Sequence, residues 1–354
     1  MPVDLPATTL CVPTLARAGL ESLLASIFLA SDFAGVEVEV VLGDQSGTLA
    51  PRPGVGVERN HAGGAAAGRN VSAAAAGGEV LVFVDDDCRL APDYFQVLAA
   101  GLAAGPEFHA FAGPTSRAPS DDPWDQAWGA LFEGAFQLPL RHDYLRWATS
   151  SNLVVRRPAF RALDGFADLG TGAGGEDVDF GLRLVAAGLG PIRSLPGMTV
   201  THAPAASEGP EALLAKAVAY GAGEQIVAGR HPEWVQRGPR TPLVVGKSPK
   251  ARLRAAFLRG RRSIRHPPRT LALGALADSL DGRGARVAVH RGPASRSHEL
   301  RAAAEAQGGI VLDAFQEGES EWLLLYARGA APRPFDLPGP VPVTEYLARR
   351  PTSE

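Results

Sequence analysis

Val80-Leu81-Val82-Phe83-Val84-Asp85-Asp86-Asp87 decides how this chain is read. Five β-branched, aliphatic or aromatic residues in a row predict a buried strand. Three adjacent carboxylates cannot stay buried and unpaired, so the triplet is expected where the strand leaves its sheet. In open α/β sheets that edge is where ligands bind. Crowded carboxylates need a counter-charge, and a divalent cation with oxygen ligands supplies one. An acidic loop tip facing solvent is the plainer alternative for the triplet taken alone.

Working outward, strands and helices alternate. Thr9 to Val12 reads as a strand stopped by Pro13, followed by helical spacing of Leu20, Leu23, Leu24, Ile27 and Phe28. Val36 to Leu42 is a second strand ending at Gly43-Asp44, and Val55 to Val57 a third. An Ala-rich helix from about Gly64 to Ala76 precedes the acidic strand, and Pro92 is expected to open the next helix. The alternation predicts an α/β fold with a mostly parallel, doubly wound sheet.

Further along, Trp124, Trp128, Phe132 and Phe136 recur every four residues, an aromatic stripe on a helix. The stripe reads either as core packing or as one wall of an acceptor cleft. Leu153 to Val155 and Val200 to His202 are predicted strands, with helices over about Glu176–Ala187 and 208–228. Arg183 follows Asp179 at i+4 and is its expected ion-pair partner. Acids at a helix start, as in Glu176-Asp177, also have a bland explanation in the helix dipole.

Composition narrows the function classes. A 354-residue chain with 45% hydrophobic residues is globular, with room for one large domain and an appendage. A formal net charge of -3 gives no general attraction to nucleic acid. Two cysteines, Cys11 and Cys88, offer no disulfide framework and predict a reducing compartment. Met1-Pro2-Val3-Asp4 begins no signal peptide, and no apolar run is long enough to span a membrane. The expected location is cytoplasmic. Between Lys247 and Arg269 the chain is basic without one acid, with Leu253, Phe257 and Leu258 interspersed. This segment reads either as a helix touching the inner membrane face or as a solvated basic linker.

Five stretches in register resemble a family 2 glycosyltransferase of the GT-A fold. They are Leu10-Cys11-Val12-Pro13-Thr14, Val40-Val41-Leu42-Gly43-Asp44, Gly68-Arg69-Asn70, Phe83-Val84-Asp85-Asp86-Asp87 and Gly174-Gly175-Glu176-Asp177-Val178-Asp179-Phe180. Ser150-Ser151-Asn152-Leu153 and Val200-Thr201-His202 add to the likeness. The resemblance covers roughly residues 7 to 235. It implies a GT-A domain over 1–235, with a nucleotide-sugar half over about 7–115 and an acceptor half over about 116–235. Residues 236–283 are then a basic linker, 284–330 a small α/β unit without an assigned role, and 331–354 a Pro-rich tail.

Carried over residue by residue, the resemblance makes Pro13 and Thr14 the lining of the nucleoside pocket and Asp44 the reader of the base. Arg69 would help hold the nucleotide, although beside the triplet it equally suits bracing the acids. Asp85 or Asp86 would bind ribose. Asp87 would coordinate Mg²⁺ or Mn²⁺, and His202 would complete that coordination. Glu176 and Asp177 match the acidic motif of the general base, with Asp177 preferred. The implied reaction is inverting transfer of a sugar from a nucleotide-diphosphate donor, UDP by default, to a hydroxyl-bearing acceptor. Two other readings remain at this stage. A sugar-phosphate nucleotidyltransferase needs a Gly-rich, Arg-containing loop where this chain has Pro13-Thr14-Leu15-Ala16-Arg17. A silent nucleotide-sugar-binding scaffold has no need to keep both Asp87 and Asp177.

Overall fold

The computed structural model describes residues 3–170, 174–202, 209–231, 236–237, 248–261, 264–265, 286–293, 297–307, 310–317 and 320–327. The first half runs β1 (Thr8–Thr14), α1 (Gly19–Ala34), β2 (Glu39–Asp44), β3 (Val55–Arg59), α2 (Ala65–Ala75), β4 (Val80–Phe83) and β5 (Cys88–Leu90). It continues through α3 (Tyr94–Ala104), β6 (Ala110–Ala112), β7 (Thr115–Arg117) and α4 (Pro123–Phe132), which runs into a 3₁₀ segment at Glu133–Leu140. The second half holds β8 (Tyr144–Leu145), β9 (Leu153–Arg156), α5 (Arg157–Ala162), α6 (Glu176–Ala186), β10 (Ile192–Ser194), β11 (Val200–His202) and α7 (Gly209–Arg230). Beyond lie β12 (Gln236–Arg237), α8 (Pro249–Arg261), β13 (Ile264–Arg265), β14 (Arg286–Pro293), α9 (Ser297–Glu305), β15 (Ile310–Glu317) and β16 (Ser320–Ala327).

The central sheet has eight strands in the order β3-β2-β1-β4-β9-β6-β10-β8. Strands β3, β2, β1, β4, β6 and β10 run one way, and β9 and β8 run against them. The fold is α/β with a mostly parallel sheet, as the alternation predicts. The reversed β9 between β4 and β6 is not foreseen by it. An apolar Leu153-Val154-Val155 run fits a buried strand in either direction, so its sense is set by the chain path.

Two boundaries assigned to prolines differ from the sequence reading. Pro13 does not stop β1, which continues to Thr14. Pairing with β4 ends at Cys11, while pairing with β2 reaches Thr14. With one flank open beyond Cys11, a residue lacking an N–H is accommodated. Pro92 precedes α3 rather than opening it, and Asp93 takes the N-cap position.

The core explains how the carboxyl edge of the sheet is held. Leu10, Val12, Val40, Leu42, Val80 and Val82 are buried on one face of the sheet against Leu20, Leu23, Leu24 and Ile27 of α1. On the other face Phe83, Phe160, Phe166 and Phe180 interlock, with ring centroids 4.9–5.6 Å apart. Burying each such ring contributes about 1.5–3 kcal/mol. Phe180 belongs to α6, so this cluster fixes the helix that carries Glu176 and Asp177. Gly43 and Gly68 let α2 lie directly on β2, since a Cβ on Gly43 would sit 2.1 Å from the Gly68 carbonyl oxygen. That approach brings Arg69 to the end of β4.

Of the basic stretch 247–269, the described part is α8 and β13. Helix α8 turns its apolar side inward: Leu253, Ala255 and Ala256 are buried, and Leu253 and Phe257 pack with Leu213, Ala217 and Trp128. Gly221 and Gly260 permit close contact, because a Cβ on Gly260 would meet the Val218 carbonyl oxygen at 1.9 Å. The apolar face is therefore occupied by α7 and α4 and is not available to a bilayer. Lys250, Arg252, Arg254 and Arg259 remain exposed. No described helix is long and apolar enough to cross a membrane. Among the described residues of 286–327 the order is strand, helix, strand, strand, with the strands in an antiparallel sheet ordered β14-β16-β15. The tail 331–354 lies outside the described residues.

Candidate active site

The carboxyl ends of β1, β2 and β4 open on one cleft of about 420 Å³. Its lining includes Pro13, Thr14, Arg69, Asp85, Asp86, Asp87, Glu176, Asp177 and His202. Nine of the ten residues singled out from the sequence thus share one cavity. The tenth, Asp44, is not among them. Its side chain is almost fully buried and turned into its own loop, accepting from the Ser46 hydroxyl at 2.6 Å, the Ser46 N–H at 2.8 Å and the Leu49 N–H at 3.3 Å. Burial works against its charge, but these bonds together hold the carboxyl below the usual range. The neighbouring Gln45 lines the cleft instead.

Each acid of the triplet is held differently. Asp85 accepts from Arg69 Nη2 at 2.6 Å, and the same guanidinium gives Nη1 to Glu176 Oε1 at 2.8 Å. Burial alone would raise the Asp85 carboxyl; Arg69, then His202, outweigh it and lower it. Arg69 is itself buried, with Phe166 against its face at 5.7 Å. It acts as a brace between the triplet and α6, the second of the two roles the sequence allows. Asp86 is tied back to β1, accepting from Thr14 Oγ1 at 2.7 Å and the Leu15 N–H at 3.2 Å.

Asp87 faces His202. Strand β11 pairs antiparallel with β5 so that His202 lies opposite Cys88, which sets its Nε2 3.2 Å from Asp87 Oδ1. Phe136, from the 3₁₀ segment after α4, stacks over the imidazole with centroids 6.0 Å apart. Asp87 Oδ1 is buried and accepts no hydrogen bond among the described residues. Burial raises the Asp87 carboxyl, His202 opposes that, and Asp85 and Asp86 add to it. A carboxylate oxygen without a donor beside an imidazole nitrogen is a fitting pair of ligands for a small divalent cation that takes its other ligands from phosphates. Cys88 also lies within reach, but burial followed by Asp85 and Asp87 pushes its thiol well up. A neutral thiol is a poor ligand for Mg²⁺ or Mn²⁺.

Across the cleft, Asp177 sits in the first turn of α6 and receives its own helix's Val178 N–H at 2.8 Å and the Ser150 N–H at 3.4 Å. Burial and then the adjacent Glu176 raise its carboxyl to about 7, against the pull of Arg69. Glu176 is engaged by Arg69, so Asp177 is the carboxylate of the two without a cationic partner at hydrogen-bond distance among the described residues. Helix α6 is locked from below: buried Asp179 accepts from Arg183 Nε at 2.7 Å and Arg230 Nε at 2.7 Å, with His231 Nε2 at 3.0 Å. The predicted Asp179–Arg183 pair is present, and Arg230 at the end of α7 and His231 just beyond it are the two further partners.

Several lining residues had no clear signal in the sequence. Lys216 and Tyr220 reach the cleft from α7, one helical turn apart. Ser150 and Ser151 reach it from the turn before β9, positioned by Asn152. Asn152 donates to the Pro114 and Met198 carbonyls at 3.1 and 2.7 Å and accepts from the Tyr94 hydroxyl at 2.9 Å. The only hint was the quoted Ser150-Ser151-Asn152 stretch itself.

Residues 45–163 match the profile of the family described as Glycosyl transferase family 2. The chain is similar to that family over these residues, about a third of its length. The matched stretch contains Arg69 and the Asp85–Asp87 triplet, while Asp177 and His202 follow it in sequence. No protein of curated function matches the chain. Among solved structures, S. aureus TarS 1-349 in complex with UDP resembles it at 18% identity, over 64% of this chain and 71% of that one, with a TM-score of 0.43. The mannosyltransferase PcManGT from Pyrobaculum calidifontis, in complex with GDP-Man and Mn²⁺, resembles it at 19% identity, over 80% of this chain and 78% of that one, with a TM-score of 0.46. GalNAc-T7 with UDP, GalNAc and Mn²⁺ resembles it at 15% identity, over 65% of this chain and 51% of that one, with a TM-score of 0.42.

Proposed function

We propose that this glycosyltransferase moves a sugar, with inversion, from a nucleotide-diphosphate donor to a hydroxyl of an acceptor, using a divalent cation. The observation that carries the reading is the pairing, in one cleft, of the Asp87–His202 ligand pair with a carboxylate held near neutrality, Asp177.

The roles follow from the contacts. Pro13, Thr14 and Gln45 would line the nucleoside end, and Asp44 would shape the loop that presents Gln45 rather than touch the base itself. Asp85 and Asp86 are each held by a donor from the protein, so either would meet ribose through its remaining oxygen. Asp87 and His202 would hold Mn²⁺ or Mg²⁺, which supplies charge neutralisation at the departing diphosphate. Lys216 lines the same cleft and adds a protein cation on that side.

Asp177 would take the proton of the acceptor hydroxyl. The freed oxygen forms a bond to the anomeric carbon as the bond from that carbon to the diphosphate breaks, and the electron pair leaves on the nucleoside diphosphate. Attack opposite the leaving group inverts the centre. A positioned base of this kind typically contributes about 10²–10⁴-fold. UDP is the favoured nucleotide on the resemblance alone.

The test is hydrolysis of a panel of UDP-, GDP- and TDP-sugars with Mn²⁺, by the wild type and by Asp177→Asn. Slow release of one nucleotide by the wild type, lost in Asp177→Asn, supports the reading. Intact donors throughout would favour a protein that binds nucleotide sugars without turning them over.

A further inference from the structure

A second cavity, also about 420 Å³, adjoins the carboxylate cleft. Phe136, Thr149, Gly174, Asp177 and Tyr220 line both, so Asp177 stands at their junction. The two halves differ in chemistry. The cleft on the donor side holds the acids, whereas the second cavity is walled by Trp128, Phe132, Phe136, Trp147, Tyr220 and Phe257. Several of these rings pack on one another: Trp128 lies 4.4 Å from Phe132 and 5.3 Å from Tyr220, and Phe132 lies 5.5 Å from Phe257. The wall is thus a fixed aromatic surface built where α4, α7 and α8 meet.

Its polar members are mostly engaged elsewhere. Glu133 pairs with Arg117, and Glu224 pairs with Arg261 at 3.3 Å. The other polar groups of the lining are those of Arg146 and Thr149, the Tyr220 hydroxyl and the indole N–H groups of Trp128 and Trp147, with Asp177 at the mouth. A hydrophilic sugar placed here would bury several hydroxyls against ring faces and aliphatic carbons without partners, which is unfavourable. A molecule with an apolar body and one hydroxyl near its end would bury its carbon surface and present the hydroxyl to Asp177. Aromatic side chains supply most of the contact area of such sites.

We propose that this aromatic cavity is the acceptor subsite, and that the acceptor is an alcohol with an apolar body, aryl or alkyl, rather than a free sugar. The inference rests on the reading of Asp177 as the base.

The experiment uses the full chain and three probes that share one sugar: methyl, phenyl and octyl β-D-glucoside, titrated calorimetrically. At least one of the apolar pair should bind about tenfold or more tighter than the methyl compound, given the carbon surface it buries. Preference for phenyl points to a flat aromatic acceptor and preference for octyl to a lipid-like one. Ala135→Phe, which fills the cavity, should abolish that preference. Since this variant risks misfolding, 4-nitrophenyl β-D-glucoside provides a second measurement on the wild type. It should quench tryptophan emission from Trp128 and Trp147, and octyl but not methyl glucoside should reverse the quenching.

Equal binding of all three glucosides, or an apolar preference that survives in folded Ala135→Phe, overturns the proposal. Binding of UDP and GDP with Mn²⁺ is measured on the same sample. Nucleotide binding without apolar preference removes only the acceptor class. Apolar preference without binding of any nucleotide removes the transferase reading, and the acceptor role with it.

Discussion

His202 Nε2 stands 3.2 Å from Asp87 Oδ1 because β11 pairs with β5 in a register that sets His202 opposite Cys88. Two residues more than a hundred positions apart are brought together by backbone hydrogen bonds, not by a flexible loop. Asp87→Ala and His202→Ala should each reduce the gain in donor affinity that Mn²⁺ confers, by about tenfold or more. Calorimetry with and without the metal checks this. Unchanged metal dependence in both variants would remove the pair as ligands.

Arg69, itself almost fully buried, joins the partly buried carboxylates of Asp85 and Glu176. Removing the guanidinium leaves two carboxylates facing each other. Arg69→Ala should destabilise the protein by about 3–5 kcal/mol, as breaking a buried ion pair does. Arg69→Lys should recover only part, because one ammonium cannot reproduce the two-sided fork. Urea denaturation of the three proteins decides the matter, and equal midpoints would mean the bridge carries no weight.

Asp177, its carboxyl raised to about 7, should govern both rate and stability if it is the proposed base. The base works when ionised, so kcat/KM should rise with pH and level off above an apparent pKa near 7. For stability the sign is opposite. A carboxyl raised in the folded state binds its proton more tightly than the unfolded chain does, so stability falls as pH climbs from about 4 to about 7. Asp177→Asn should therefore lose turnover yet melt a few degrees higher than wild type at pH 8, with a smaller difference at pH 5. A lower melting temperature at pH 8 would contradict the buried charge.

The α7–α8 contact depends on Gly260, where a Cβ would meet the Val218 carbonyl oxygen at 1.9 Å. Gly260→Val should push α8 off α7 and disturb the aromatic wall that Phe257 completes. Thermal unfolding should show a loss of about 1–3 kcal/mol, the usual cost of overpacking. A stable variant would mean the helices slide apart without consequence.

Lys250, Arg252, Arg254 and Arg259 leave α8 with a basic outer face after its apolar face is used in packing. Any membrane contact made by this helix is then electrostatic adsorption. Binding to vesicles containing phosphatidylserine should appear at low salt and vanish as salt rises, with no binding to neutral vesicles. Salt-insensitive binding would point to an inserted segment instead.

The acidic strand was legible because an apolar run followed by three carboxylates has few structural solutions. Alternation of strand and helix gave the parallel part of the sheet for the same reason. Side-chain direction was harder. Asp44 ends its strand as expected, yet a local turn through Ser46 and Leu49 draws its carboxylate inward and leaves Gln45 facing the cleft. Arg69 bonds to Glu176 across 107 residues, a partnership no local pattern encodes. The aromatic stripe divided its roles: Trp124 and Trp128 pack against α7 and α8, while Phe136, past the end of the helix, stacks on His202. The basic segment stayed ambiguous because amphipathicity looks alike whether the apolar face meets lipid or another helix.

Calorimetric titration of UDP and GDP into the full chain, with and without Mn²⁺, tests the central claim most directly. One of the two should bind, and Mn²⁺ should tighten that binding at least about tenfold. Binding of neither nucleotide to folded protein, or binding indifferent to the metal, would contradict it.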